Sequence, residues 1–208
     1  MKVLLTRPEG RNEKLADSLR ANGFEVDCEP LIAVEPLGQD PIELEGYDWL
    51  VLTSAAGAYE LKRRARGRAQ RVAAIGPATA EAFGEVDLVP RVSTQEGLLS
   101  ELPRPAGRVL FAGAEGARRL LADELDADFV PLYRTRELSP DRPLDADLVV
   151  LASPSAARAY SALELRAPVV SIGPETTSAA QEQGVLVVEE AQTQDVAGLT
   201  NAVLKATR

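Results

Sequence analysis

The sequence predicts an α/β protein of two similar, parallel-sheet, three-layer domains, one inserted into the other and joined by a two-stranded β connector. Three observations predict it. Short apolar, β-branched runs alternate with amphipathic segments of helical period, which is the pattern of parallel βαβ units. Most of these runs are apolar throughout, as strands covered on both faces are. The chain also repeats itself at offsets of 97 to 99 residues, with one piece out of order.

"KVLLT" (2–6) opens the chain as a strand. "GRNEKLADSLRANG" (10–23) follows as a helix, with Leu15, Leu19 and Phe24 near helical spacing and Gly23 as its C-terminal stop. Further strands are expected at "EVDCEPLIAV" (25–34), "WLVLT" (49–53), "RVAAIG" (71–76), "VDLVP" (86–90) and "RVLFAG" (108–113). The series continues with "FVPLYRT" (129–135), "LVVLAS" (148–153), "PVVSIG" (168–173) and "VLVVE" (185–189). Two strands run into the same turn, Gly76-Pro77-Ala78-Thr79 and Gly173-Pro174-Glu175-Thr176. Glycine allows a tight turn there, and proline suits the first helical turn. Ser93-Thr94-Gln95-Glu96 and Thr193-Gln194-Asp195 read as capped helix starts. "KRRARGR" (62–68) reads as a solvated helix face or loop.

The repeat sets the order of the domains. "DWLVLTSAAGAYE" (48–60) matches "DLVVLASPSAARAY" (147–160), "IGPATAEAF" (75–83) matches "IGPETTSAA" (172–180), and "STQEGLLSEL" (93–102) matches "TQDVAGLTNAVL" (193–204). A fourth pairing runs the other way. "VLLTRPEGRNEKLADSL" (3–19) resembles "VLFAGAEGARRLLADEL" (109–125), and each leads into a strand ending Pro-Leu. One copy, about 38–130, is continuous, and the other must be assembled from 1–30 and 140–208. The crossings, 30–37 and 131–139, have strand-like composition and are expected to pair antiparallel as a hinge.

Composition narrows the chemistry. Among 208 residues there is no histidine and one cysteine, Cys28, and the formal charge is −9. Histidine-based triads, histidine metal sites and cysteine-rich zinc sites are excluded, and no metal site is expected. The acidity argues against nucleic acid as a partner. No window is long and apolar enough for a membrane span, and the first residues do not read as a signal peptide. A cytoplasmic monomer acting on a small molecule is expected. There is neither a G-x-G-x-x-G after the first strand nor a Walker lysine, so no cofactor loop is evident.

What remains is hydroxyls, amides and arginine. In open parallel sheets ligands bind beyond the C-terminal ends of the strands. The candidate contacts there are Thr53, Ser54, Gly76 and Thr79 in one copy, and Ser153, Ser155, Gly173, Thr176 and Thr177 in the other. Helix starts with outward amides favour anions. Arg7 and Arg118 are candidate carboxylate partners. Facing one cleft across a hinge, these groups would suit a ligand with several carboxylates or phosphates. Helix capping alone also accounts for each hydroxyl taken singly.

Together, "LLTRPEGRNEKLADSLRANGFEVDCEPLIAVEP", "WLVLTSAAGA", "AAIGPATAEA", "STQEGLL", "VPLYRT", "LASPSAARA" and "SIGPETTSAAQEQG" resemble the uroporphyrinogen-III synthase family of tetrapyrrole (haem) biosynthesis. The resemblance implies two α/β domains joined by a two-stranded ladder. It implies a cyclising hydro-lyase that closes linear hydroxymethylbilane, which carries eight carboxylates, with loss of water and inversion of ring D, by folding the substrate in an inter-domain cleft. No cofactor or metal is implied. It points to Tyr133 as the group assisting departure of the hydroxyl, and to Ser54, Thr79, Ser153 and Thr176 as substrate contacts. "TSAAGA" departs from many relatives, so no side-chain contact is expected from Ala55 or Ala56. Glu175 places a carboxylate beside one anion site. The alternatives are a hinge-type binding protein for a small anion, or a domain of a larger chain, since this family also occurs fused to other modules.

Overall fold

The computed structural model describes residues 1–207. In chain order its elements are β1 (Lys2–Leu5), α1 (Glu13–Ala21), β2 (Glu25–Cys28), β3 (Ile32–Pro36), β4 (Ile42–Glu43), β5 (Trp49–Leu52), α2 (Ala55–Arg64), β6 (Ala65–Arg66), β7 (Arg71–Ala74) and α3 (Pro77–Phe83). They continue with α4 (Gln95–Glu101), β8 (Val109–Ala114), α5 (Leu120–Leu125), β9 (Asp128–Glu137), β10 (Leu148–Leu151), α6 (Pro154–Ser161), β11 (Val169–Ser171), α7 (Pro174–Glu182), β12 (Val187–Glu190) and α8 (Val196–Ala206). The chain divides into two compact units. The first is Met1–Ala33 together with the chain from Arg136 onward, and the second is Val34–Thr135.

The first unit holds a five-stranded sheet in the order β12-β11-β10-β1-β2, parallel throughout. Side chains alternate across it. Val3, Leu5, Leu148 and Val150 pack with Leu15 and Leu19 of α1 and Leu199 and Val203 of α8. Leu4, Val149 and Leu151 pack on the other face with Ala156, Ala157 and Tyr160 of α6 and Ala180 of α7. Both faces of the central strands β1, β10 and β11 are therefore buried, which is why these runs carry no polar alternation, whereas the edge strands β2 and β12 keep exposed polar positions.

The second unit repeats this plan. Its sheet has the order β3-β9-β8-β5-β7. Leu50, Leu52, Leu110 and Ala112 pack beneath α2 and α3. Val51, Ala73, Val109 and Phe111 pack against α4 and α5. Strands β9, β8, β5 and β7 are parallel. The crossing strand β3 lies at the edge beside β9. Leu37 N–H donates to Leu132 O at 2.8 Å and Leu138 N–H to Leu31 O at 2.9 Å, so β3 and β9 run in opposite directions.

Several local expectations need correction. Residues 25–34 form two strands, because Pro30 interrupts the run. The expected strand at 129–135 and the second crossing are one ten-residue strand, β9. "VDLVP" is not a strand: only Leu88 bridges, to Ala73. There Asp87 carboxylate accepts from Val72 N–H at 2.7 Å, and Pro90 then ends any ladder by lacking a donor. The arginine run closes α2 and then forms β6, which pairs with β4. Arg64 donates to Leu37 O at 2.7 Å and Asp40 O at 2.9 Å, and Arg63 donates to Gln39 and Glu60. That run secures the 37–40 loop. Gly76 and Gly173 both have extended backbones, so φ is not what selects glycine. A Cβ on Gly173 would stand 2.7 Å from Gln194 Nε2. That amide end would have to move aside for a side chain at 173. Among the described residues no helix is long and apolar enough to cross a membrane.

Candidate functional site

In both units the candidate residues follow the C-terminal ends of parallel strands, where an open α/β sheet offers its binding crevice. Arg7 follows β1, Ser153 follows β10, and the Gly173–Thr176 turn follows β11. In the second unit Ser54 follows β5 and the Gly76–Thr79 turn follows β7, while Tyr133 lies within β9.

The serines cap helices, as their position predicts. Ser54 Oγ accepts from Gly57 N–H at 3.0 Å, and Ser153 Oγ from Ala156 N–H at 3.1 Å. Ser54 also does something Ser153 does not. Its Oγ lies 2.8 Å from Tyr133 Oη, across the intervening β8. The small end of β8, Ala112-Gly113-Ala114, lets the ring pass, and Ala112 O lies near the same space. A bulge aims the ring. Gly113 pairs with Pro131 but Ala114 pairs with Tyr133, so Leu132 is the extra residue. Leu132 and Tyr133, consecutive in a strand, therefore enter the same core.

The two Gly-Pro turns each bury a threonine. Thr79 is 4 % exposed and Thr176 is 2 % exposed. Among the described residues neither hydroxyl has a hydrogen-bond partner. Fewer backbone amides are available than the sequence suggests. Proline supplies none, and Thr79 N–H turns back to Gly76 O at 3.1 Å, as Thr176 N–H does to Gly173 O at 3.0 Å. The hydroxyl is thus one of the few donors each turn can offer.

The remaining candidates divide. Arg7 is half-buried, and among the described residues its guanidinium has no ion-pair partner. Burial first, and then Arg11, push its pKa below the ordinary value, while Glu13 pulls it up. Arg118 is committed to Glu96 at 2.9 Å on the surface. Thr177 hydroxyl donates to Glu190 carboxylate, so the Ser171 hydroxyl at 2.6 Å must be the donor to it. Thr177 is thereby occupied inside its own unit. Ser155 accepts from Arg158 at 3.4 Å. Thr53 is half-buried, with its hydroxyl beside Gly113. Glu175 is exposed.

A sequence model of the family described as "Uroporphyrinogen-III synthase HemD" matches residues 13–201. The chain belongs to the uroporphyrinogen-III synthase family. A uroporphyrinogen-III synthase of Synechococcus elongatus is 27 % identical, over 97 % of this chain and 93 % of that one. A protein of Methanocaldococcus jannaschii provisionally named as such a synthase is 28 % identical over 66 % of this chain, and the match spans 63 % of that relative's length. The fold of this synthase-family chain is shared with a crystal structure of a mutant uroporphyrinogen III synthase from the extremely thermophilic bacterium Thermus thermophilus. The TM-score is 0.65 at 17 % identity, covering 100 % of this chain and 98 % of that one. The wild-type enzyme in a second crystal form gives 0.52 at 19 % identity, with the same coverage.

Two features of this synthase-family chain escape the sequence reading. Gly97 and Gly198 hold matching places in α4 and α8. A Cβ on either would lie 2.0 Å from a backbone carbonyl oxygen, that of Val92 or Thr193. The other is the Ser54–Tyr133 bond, for which small residues opposite an aromatic strand position are the available signal.

Proposed function

We propose that the chain closes hydroxymethylbilane to uroporphyrinogen III, losing water and inverting ring D, as a cyclising hydro-lyase. The observation that carries this reading is the matched pair of buried threonines in a chain of this family. Thr79 and Thr176 are at most 4 % exposed yet have no partner for their hydroxyls among the described residues. Neither hydroxyl oxygen is among the buried side-chain atoms left without a partner, so each keeps an open side at which a ligand can approach. Two such hydroxyls at equivalent strand ends suit a ligand that supplies acceptors. Carboxylates on the substrate are such acceptors, and Arg7 is a cation awaiting one.

Chemically, the barrier is departure of hydroxide from a carbon attached to an electron-rich pyrrole. Tyr133 supplies a hydrogen bond to that oxygen, and Ser54, Thr79, Ser153, Thr176 and Arg7 hold the substituents. With a formal charge of −9, long-range attraction for a polyanion is absent, so recognition falls to these local donors. Purified protein given hydroxymethylbilane without additives is expected to yield the type III isomer. Only the type I isomer, the product of spontaneous closure, would refute the proposal.

A further inference from the structure

We propose that Asn12 is a positioning residue for Arg7. Its side-chain amide holds the Arg7 carbonyl and so fixes the start of the loop from which the guanidinium reaches a substrate carboxylate. The inference rests on the synthase reading above, in which Arg7 is a substrate contact.

The bond can run in only one direction. Asn12 Nδ2 lies 3.1 Å from Arg7 O. A backbone carbonyl only accepts, so the amide nitrogen is the donor and Oδ1 faces elsewhere. Asn12 is 6 % exposed, and its Oδ1 is buried without a hydrogen-bond partner. An asparagine directly before a helix ordinarily caps it, with Oδ1 accepting from a first-turn N–H. Asn12 directly precedes α1 but makes no such bond. Its backbone is helical, with φ −97° and ψ −21°, whereas Ser54 and Ser153, which do cap, are extended. The side chain thus forgoes a cap and leaves an acceptor buried and unpaired, and both weaken the fold. The bond to Arg7 is what it makes instead. Just before Arg7 the chain is fixed as well, because Thr6 Oγ donates to Val150 O of β10 at 2.9 Å.

The internal repeat serves as a control. In the pairing of 3–19 with 109–125, Arg7 falls on Gly113 and Asn12 on Arg118. The second unit has no side chain to aim at that strand end, and its loop is closed from α4. Gln95 Nε2 donates to Arg118 O at 3.2 Å, and Gln95 Oε1 accepts from Leu121 N–H at 3.3 Å, so both ends of that amide are used. Counted from the matching Gly97 and Gly198, the place of Gln95 is held in the first unit by Val196, which has no polar side-chain atom. A clamp without an unpaired atom is therefore open to this fold. The unit that carries the arginine uses a less stable one, and that clamp grips the arginine's own carbonyl.

A double-mutant cycle tests it, using KM, kcat and the thermal midpoint of the full chain with hydroxymethylbilane. Asn12→Ser supplies a good capping residue and removes the buried Oδ1, but its hydroxyl ends one bond short of Nδ2. KM is expected to rise about 2- to 10-fold, the worth of one neutral hydrogen bond, with kcat within twofold and the midpoint unchanged or raised. Asn12→Thr, a second capping residue without the amide, is expected to do the same. In an Arg7→Met background neither variant changes KM further. An unchanged KM, an equal rise in both backgrounds, or a midpoint that falls in step with activity would overturn the inference while leaving the synthase reading intact. Failure of the unaltered chain to form type III isomer refutes the synthase reading itself, and the inference with it.

Discussion

At the scale of single residues, an open hydroxyl without a protein partner at a strand end separates binding groups from structural ones. Thr79→Val and Thr176→Val keep shape and remove one unpartnered hydroxyl each. Each is expected to leave the thermal midpoint unchanged or raised, and to raise KM about 2- to 10-fold, the worth of one neutral hydrogen bond. An unchanged KM would make these hydroxyls mere fillers. Arg7→Met removes a half-buried guanidinium that has no ion-pair partner among the described residues. Stability is expected to hold or improve, because an uncompensated cation is relieved of its burial. KM is expected to rise tenfold or more, since bonds to charged groups are worth about 1.5–3 kcal/mol. A midpoint falling in step with activity would mark Arg7 as structural. The capping serines and the Gly-Pro turns were legible because their chemistry is local. Ser54 meeting Tyr133 was not, because it depends on a bulge at Leu132 and on small residues in a strand between them. Thr177 read as a ligand contact by its position, yet its hydroxyl lies between Ser171 and Glu190. No local pattern reports that.

At the scale of elements, the apolar runs were legible because burial on both faces leaves an unambiguous trace. Leu148–Leu151 and Trp49–Leu52 are buried at every position. "VDLVP" misled because it has strand composition while Asp87 and Pro90 compete for or abolish its ladder bonds. The four residues of β4 and β6 were illegible, since two-residue strands carry no periodicity. Gly97 and Gly198 allow an element-level prediction in which two effects oppose. Alanine in a helix is favoured over glycine by about 1 kcal/mol. Here its Cβ would meet a carbonyl oxygen at 2.0 Å, and overpacking costs about 1–3 kcal/mol or more when backbone must move. The clash wins, because no flexible side chain is there to yield. Gly97→Ala and Gly198→Ala are each expected to lower the thermal midpoint by several degrees. A raised midpoint would show that the loops at Val92 and Thr193 can retreat.

At the scale of the whole molecule, the duplication predicts where the chain can be cut. Each unit has about one hundred residues and its own sheet covered on both faces, enough for independent folding. The second unit is contiguous, whereas the first must be rejoined. The register of β3 and β9 says how. Leu31 bonds Leu138, Glu35 pairs with Arg134 at 2.8 Å, and Leu37 bonds Leu132. Stepping by two along both strands sets Ala33 opposite Arg136. An Asn-Gly pair closes such antiparallel neighbours as a tight hairpin turn. Residues 1–33 and 136–208 joined through Asn-Gly are therefore expected to fold as one unit. Calorimetry should show a single cooperative transition, of about 60–80 kcal/mol for a domain of this size near 60 °C. The joined chain keeps Arg7, Ser153 and Thr176 but lacks Tyr133 and Ser54, so it should fold without forming type III isomer. A broad, non-cooperative melt would show instead that β9 is needed whole, and that the two units share one folding transition despite their separate cores.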